Sequence, residues 1–421
     1  MPDASNWDWA VEKKTVADLK QLRDKFKGVH EFVVSPDGEK IAAPVVTEEN
    51  SFTAAINSDT WPEMVELLWY LRFLPDGRLT ALVRIDDQWT LMVDGVPWNE
   101  RFEYAWDPRP CASGSAIGMM IKRDFKYGIA IDDKVWEEGF DGIRDYALSP
   151  DGSRAAATVQ VAPLAEADIF AFSEGVWSIA VDGKAWDKKY LNTWKPIFSA
   201  DGSKVAAEIR TDICEYSISV DGNDWNDRFG CVWEPLFRPQ NGSVIAPVRK
   251  DGFWRLAENG KTIWDGKYNQ LWQVKFSPDG SRIAVIASPE YGRWTIAVDN
   301  APWKRIWEDM VLEPHFSPDG KRVAAIVKEV NRWTIAVDGN PWGEQFDMIW
   351  DPVFSPCGKH IIAKAERNGR FMIVADGKPV GPQYDALWDP IFSADGTKIL
   401  LKYIENDKYC RQVVSASDVL G

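Results

Sequence analysis

Two stretches, EPHFSPDGKRVAAIVKEVNRWTIAVDGNPW at 313–342 and WDPVFSPCGKHIIAKAERNGRFMIVADG at 350–377, are variants of one phrase. The phrase returns ten times, anchored on a turn at Asp37, Asp76, Ser113, Asp151, Asp201, Asn241, Asp279, Asp319, Cys357 and Asp395. Its period of about 40 residues falls in the range of propeller repeats. In the copy from Glu313, Pro314–Ser317 reads as strand a, and Pro318-Asp319-Gly320 as a turn. Strand b follows from Lys321 to Lys328, with Val323, Ala325 and Val327 on one face and Ala324 and Ile326 on the other. Both faces are apolar, so the strand is covered on two sides. Strand c, Trp333–Val337, ends in the turn pair Asp338-Gly339, and a variable strand d runs on from Pro341. Four-stranded sheets stacked face to face in a ring satisfy two-sided burial, so an all-β propeller of ten repeats is expected.

The tenth copy ends after strand c. Phe26 stands nine residues before Ser35, as Phe346 stands nine before Ser355, so residues near 25–34 are expected to supply the missing outer strand. Closing the ends removes open sheet edges. One ring fits the uninterrupted period, and two five-bladed rings are the alternative. The expected organisation is a tail with a short helix over residues 1–28 and a propeller over 29–421. The helix is expected from Thr15 to Phe26, with Thr15 and Asp18 as a capping pair and Val16, Leu19, Leu22 and Phe26 on one face.

The net charge of −15 disfavours nucleic acid or an anionic membrane surface as a direct partner. No apolar run approaches the roughly 18–20 residues of a membrane span. The start, MPDASNWDWAVEKKTV, lacks the apolar stretch of a secretory signal. Five cysteines (Cys111, Cys214, Cys231, Cys357 and Cys410) form no paired-ligand spacing, and their odd number argues against a disulfide framework. A cytoplasmic location is the expectation.

Of 23 tryptophans, 20 fall on three repeat positions. Seven precede strand a (Trp69, Trp106, Trp194, Trp233, Trp272, Trp350 and Trp388), five begin strand c, and eight follow the strand c turn. Large flat side chains filling gaps between blades explain them better than an electron-hopping chain. The three histidines, His30, His315 and His360, also fall on repeat positions. No nucleophile elbow, phosphate loop, dinucleotide fingerprint or zinc-protease motif occurs. Cys357 replaces an anchor Asp, and the Asp-Gly pairs read as turns without a calcium loop. Catalytic residues, metal ligands and cofactors are therefore expected to be none.

Alternating strands put the d–a and b–c connections at one end of each blade and the a–b and c–d turns at the other. The stretches after Trp106, Trp194, Trp233, Trp350 and Trp388 belong to the first end. So does the one sizeable insertion, residues 161–175, an apolar loop with Leu164, Ile169, Phe170 and Phe172. Aromatics beside an apolar projection are expected to bind a partner.

The F-S-P-D-G-x-x-[IV]-A units resemble the WD40-like repeat of TolB-type propellers over nearly the whole chain, with drift at 109–118 and 237–242. The Trp-loaded form, W-D-P-x-F-S-P-D-G with W-T-I-A-V-D-G-x-P-W, resembles the tryptophan-rich subunit of the Tmc transmembrane electron-transfer complex of sulfate-reducing bacteria. That resemblance implies a subunit without its own redox cofactor, placed beside iron–sulfur and cytochrome partners and peripheral to the inner membrane through them. It carries no catalytic residues to transfer. A non-catalytic scaffold is the leading expectation. A propeller hydrolase or glycan-processing enzyme with its site in the central channel is the alternative.

Overall fold

The computed structural model describes residues 4–163 and 169–421. Among them the strands assemble into ten consecutive antiparallel sheets, the blades of a β-propeller. The repeat phrase maps onto each. In blade 8, Met310–Phe316, Val323–Glu329, Arg332–Val337 and Asn340–Pro341 are strands a to d, hydrogen-bonded in that order. Strand b is buried along both faces, as its unbroken apolar run requires, and its alanines let neighbouring sheets approach.

The chain divides into two compact units. One comprises Ala43–Ala55 and Thr60–Asp265 and holds blades 2 to 5 and most of blade 6; the other comprises Asp3–Ala42, Ile56–Asp59 and Gly266–Gly421 and holds blades 7 to 10.

Turn chemistry is repeated almost without variation. Strand c ends in an Asp with left-handed backbone followed by a left-handed Gly, as at Asp338 (φ 51°) and Gly339 (φ 81°), which is the two-residue turn that matches strand twist. The Asp338 carboxylate accepts the Val323 amide at 2.9 Å and pairs with Arg322. The glycine is required twice over at Gly377, where φ is 83° and an added Cβ would stand 2.8 Å from the Trp342 ring. Trp136, Trp186, Trp225 and Trp303 lie in the same way beneath Gly183, Gly222, Gly260 and Gly339 of the following blade. These tryptophans are thus inter-blade wedges.

The last blade takes its outer strand from the start of the chain, but not from residues 25–34. Lys13–Asp18 pairs antiparallel with Lys408–Ser415, with Lys13 opposite Gln412 and Asp18 opposite Lys408. Gly28–Val29 and Val33–Val34 instead form the divided strand a of blade 1. The nine-residue spacing from Phe26 to Ser35 marks the approach to strand a, and helix α1 (Leu19–Lys25) separates that approach from the outer strand. The helix is shorter than expected. Thr15 and Val16 lie in the strand, and Asp18 is itself the N-cap, accepting the amides of Lys20 and Gln21. The propeller therefore includes residues 13–18, ahead of the expected boundary at 29.

Candidate functional site

Strand a decides the chemistry of the end that carries the d–a and b–c connections. Its ladder is interrupted just after the Trp. In blades 2, 3 and 7 the next residue is forced to positive φ (Tyr70 53°, Asp107 52°, Gln273 55°) and the register shifts. In blades 5, 6, 9 and 10 the strand breaks into two short pieces around Lys195-Pro196, Glu234-Pro235, Asp351-Pro352 and Asp389-Pro390, because proline offers no amide to the ladder. Either way the residue after the Trp is turned out of the sheet.

Most of these projecting residues are charged (Asp107, Lys195, Glu234, Asp351 and Asp389; Tyr70 and Gln273 are not), and neighbours supply counter-ions to several. Within the first unit the Arg109 guanidinium donates to Asp107 and Asp145, each at 3.0 Å. Within the second, Lys275 pairs with Glu313, His315 lies 3.5 Å from Asp351, and Lys364 lies 3.5 Å from Asp389. Burial holds the His315 imidazole below its usual range although Asp351 and Glu313 pull the other way. Lys195 and Glu234 are different: neither has an ion pair among the described residues.

The tryptophans before strand a each meet the aromatic that opens strand c of the same blade. Trp233 stacks on Trp254 with centroids 5.2 Å apart, Trp194 lies 6.0 Å from Tyr216, Trp106 6.1 Å from Tyr127, Trp350 5.8 Å from Phe371 and Trp388 5.8 Å from Tyr409. Trp194 and Trp233 are exposed, whereas Trp106, Trp350 and Trp388 are half-buried.

The insertion at 161–175 contains helix α2 (Ile169–Glu174), which its sequence did not suggest. Phe172 is half-buried there; Ile169 and Phe170 lie in the helix, and Leu164 lies outside the described residues. The inserted segment leaves from strand b of blade 4, where the Thr158 hydroxyl donates to the Trp194 carbonyl at 2.7 Å.

Sequence reasoning missed the most exposed apolar groups. In the first unit Phe125 (81% exposed) and Ile213 (67%) cap the b–c hairpins of blades 3 and 5; in the second, Tyr291 (93%) and Val330 (83%) cap those of blades 7 and 8. Phe125 and Val330 have φ of 63° and 50°. Positive φ is costly for a β-branched residue, and Asn or Gly suits such turns better. The misfit between residue type and turn position was the available signal. The other end exposes Val96 but no comparable row of large apolar side chains among the described residues.

No helix among the described residues is long and apolar enough to cross a membrane. No family model matches the chain, and no curated protein matches it. Among solved structures the chain is similar to one described as the eukaryotic initiation factor, at 12% identity and a TM-score of 0.49, over 82% of this chain and 94% of that one. It is also similar to the β-propeller domain of Myceliophteria thermophila Cps50 (Swd1), at 11% identity and a TM-score of 0.32, over 65% of this chain and 96% of that one. The assignment to the β-propeller class stands on the ten sheets and their strand order.

Proposed function

We propose that the chain is a non-catalytic scaffold whose partner docks on the end bearing the d–a and b–c connections. The observation that carries this reading is the set of bulky apolar side chains at hairpin tips, with Phe125 and Val330 in backbone conformations that penalise them. Most of their surface stays in water in the isolated chain, although Lys122 lies 5.6 Å from the Phe125 ring centroid. Desolvation by a partner would offset that cost, with Trp194 and Trp233 as aromatic anchors.

The class of partner comes from the resemblance of the Trp-Asp-Pro and Trp-Thr-Ile-Ala-Val-Asp-Gly repeats to the Tmc subunit. It points to iron–sulfur and cytochrome subunits of a membrane-bound electron-transfer complex, with this chain on the cytoplasmic side and free of its own redox cofactor. Gentle purification of the native protein, with identification of co-eluting chains and a visible spectrum, tests this. Haem absorption in the same particle is the expected result. A homogeneous, colourless species free of other chains would contradict it.

A further inference from the structure

The seven blades with a Trp before strand a set one strand b residue opposite it. The amide of Trp350 donates to the carbonyl of Lys364 at 2.9 Å in blade 9, and that of Trp194 to Glu208 at 3.2 Å in blade 5. Residues directly opposite on a ladder share a face, so each pair stands side by side. In blade 9 the result is a filled socket. The Lys364 ammonium lies 4.1 Å from the centroid of the Trp350 ring and 3.5 Å from Asp389, the acid that blade 10 projects. Aromatic face and carboxylate together hold the cation.

The same three positions in blades 5 and 6 are Trp194, Glu208 and Glu234. Trp194 is backed by Tyr216 at 6.0 Å, much as Trp350 is backed by Phe371 at 5.8 Å. Here the lysine is replaced by a carboxylate. Glu208 is only 8% exposed, and its side chain has no hydrogen bond or ion pair among the described residues. Burial, reinforced by Glu234, pushes its carboxyl up to about 8. The thiol of Cys231 also faces it and is itself raised, first by burial and further by Glu208. An aromatic face and two acids are present; Arg249, opposite Cys231 on the ladder, acts on that thiol, but among the described residues no cation pairs with Glu208 or Glu234. Among the described residues no group of three or more metal-ligating side chains occurs, which favours an organic cation over a metal ion.

We propose that Trp194, Glu208 and Glu234 form a binding site for an alkylammonium group, supplied by a lysine side chain of the docked protein. The inference rests on the docking end proposed above. The incoming ammonium takes the place that Lys364 fills in its own blade, lying over the Trp194 ring with Glu208 and Glu234 as counter-ions.

Calorimetric titration of the full chain at pH 8 with Nα-acetyl-lysine methylamide tests the site without any partner. Saturable binding is expected, lost when the probe's ε-amine is acetylated, and weakened about tenfold or more by Glu208→Gln. Glu208→Lys should abolish binding and raise the melting temperature, because it installs the cation that blade 9 already carries. Absence of saturable binding to the wild type, or unchanged binding to both variants, would overturn the site. Wild-type retention of the native complex by Glu208→Lys, with probe binding lost, would overturn the assignment to a partner lysine. A Phe125→Asp variant that keeps its complex while probe binding behaves as expected would contradict the docking end and leave the ammonium site standing.

Discussion

The two ends of the blades use the same tight-turn geometry and finish it differently. At the a–b and c–d end the side chains belong to the turn. Ser149, Ser199, Ser277 and Ser393 donate to Asp151, Asp201, Asp279 and Asp395 at 2.5–2.6 Å, and those hydroxyl bonds, with nearby amides, hold the four carboxyls down to about 2. Arginines then reach the next blade, as Arg154 does to the Gly202 carbonyl at 2.9 Å and Arg282 to that of Gly320 at 3.1 Å. At the b–c end, tight hairpins present Phe125, Ile213, Tyr291 and Val330 to solvent. Backbone geometry does not ask for those residues. One end is therefore accounted for by folding, and the other carries side chains that folding leaves unexplained.

The largest expected effect comes from opening the framework. Arg411, fully buried in strand c of the last blade, donates to the carbonyls of Asp37 and Asp8 and pairs with Glu39, tying that strand to the first turn of blade 1 and to the start of the chain. Deleting residues 1–18 removes the outer strand Lys13–Asp18 and leaves an edge, a loss on the order of several kcal/mol. Deleting residues 1–7 should cost far less. Equal denaturant midpoints for the two truncations would show that the strand does not close the blade.

Next in size is Gly377→Ala, which combines positive φ with a Cβ pressed against Trp342 and should destabilise by roughly 1–4 kcal/mol while partner retention is unchanged. Chemical denaturation checks it. A neutral result would remove the wedge role assigned to the strand d tryptophans.

Glu208→Gln should stabilise at alkaline pH. The folded carboxyl is raised to about 8 from an ordinary value of 4.5, so the native state holds its proton where the unfolded state has lost it. Wild-type stability then falls as pH rises between those values, and the variant escapes the loss by on the order of 1–3 kcal/mol at pH 8. The difference should vanish near pH 4. Denaturation curves at both pH values measure it, and a variant less stable at pH 8 would contradict the unpaired state of Glu208.

The smallest effect distinguishes the ends most sharply. Val330→Gly relieves the strained tip and should change stability by less than about 1 kcal/mol, in the stabilising direction. A clear destabilisation in the isolated protein would mean that Val330 serves the fold after all.

Much of this was legible in the sequence because repetition multiplies weak local signals. Ten Asp-Gly-type anchors, two-sided strands and positional tryptophans point to ten blades even where Ser113 or Asn241 departs from the pattern. The outer strand was misplaced because Lys13–Asp18 shares no residue pattern with other outer strands, and Ala17 stands where Phe346 stands in blade 8. The hairpin tips were passed over because one Phe or Val among polar residues gives no periodicity; only its positive φ marks it. The Glu208 socket depends on a side chain from one blade meeting an acid of the next, which a single repeat does not display.

The proposed docking of a partner on the tip-bearing end depends on the exposed hairpin-tip side chains. Its most direct measurement is the yield of the native complex with a Phe125→Asp, Ile213→Asp double variant, taken alongside the variant's melting temperature. Co-purifying haem lowered about tenfold or more with melting unchanged is the predicted result. Wild-type haem yield from an equally stable variant would rule out docking at this end.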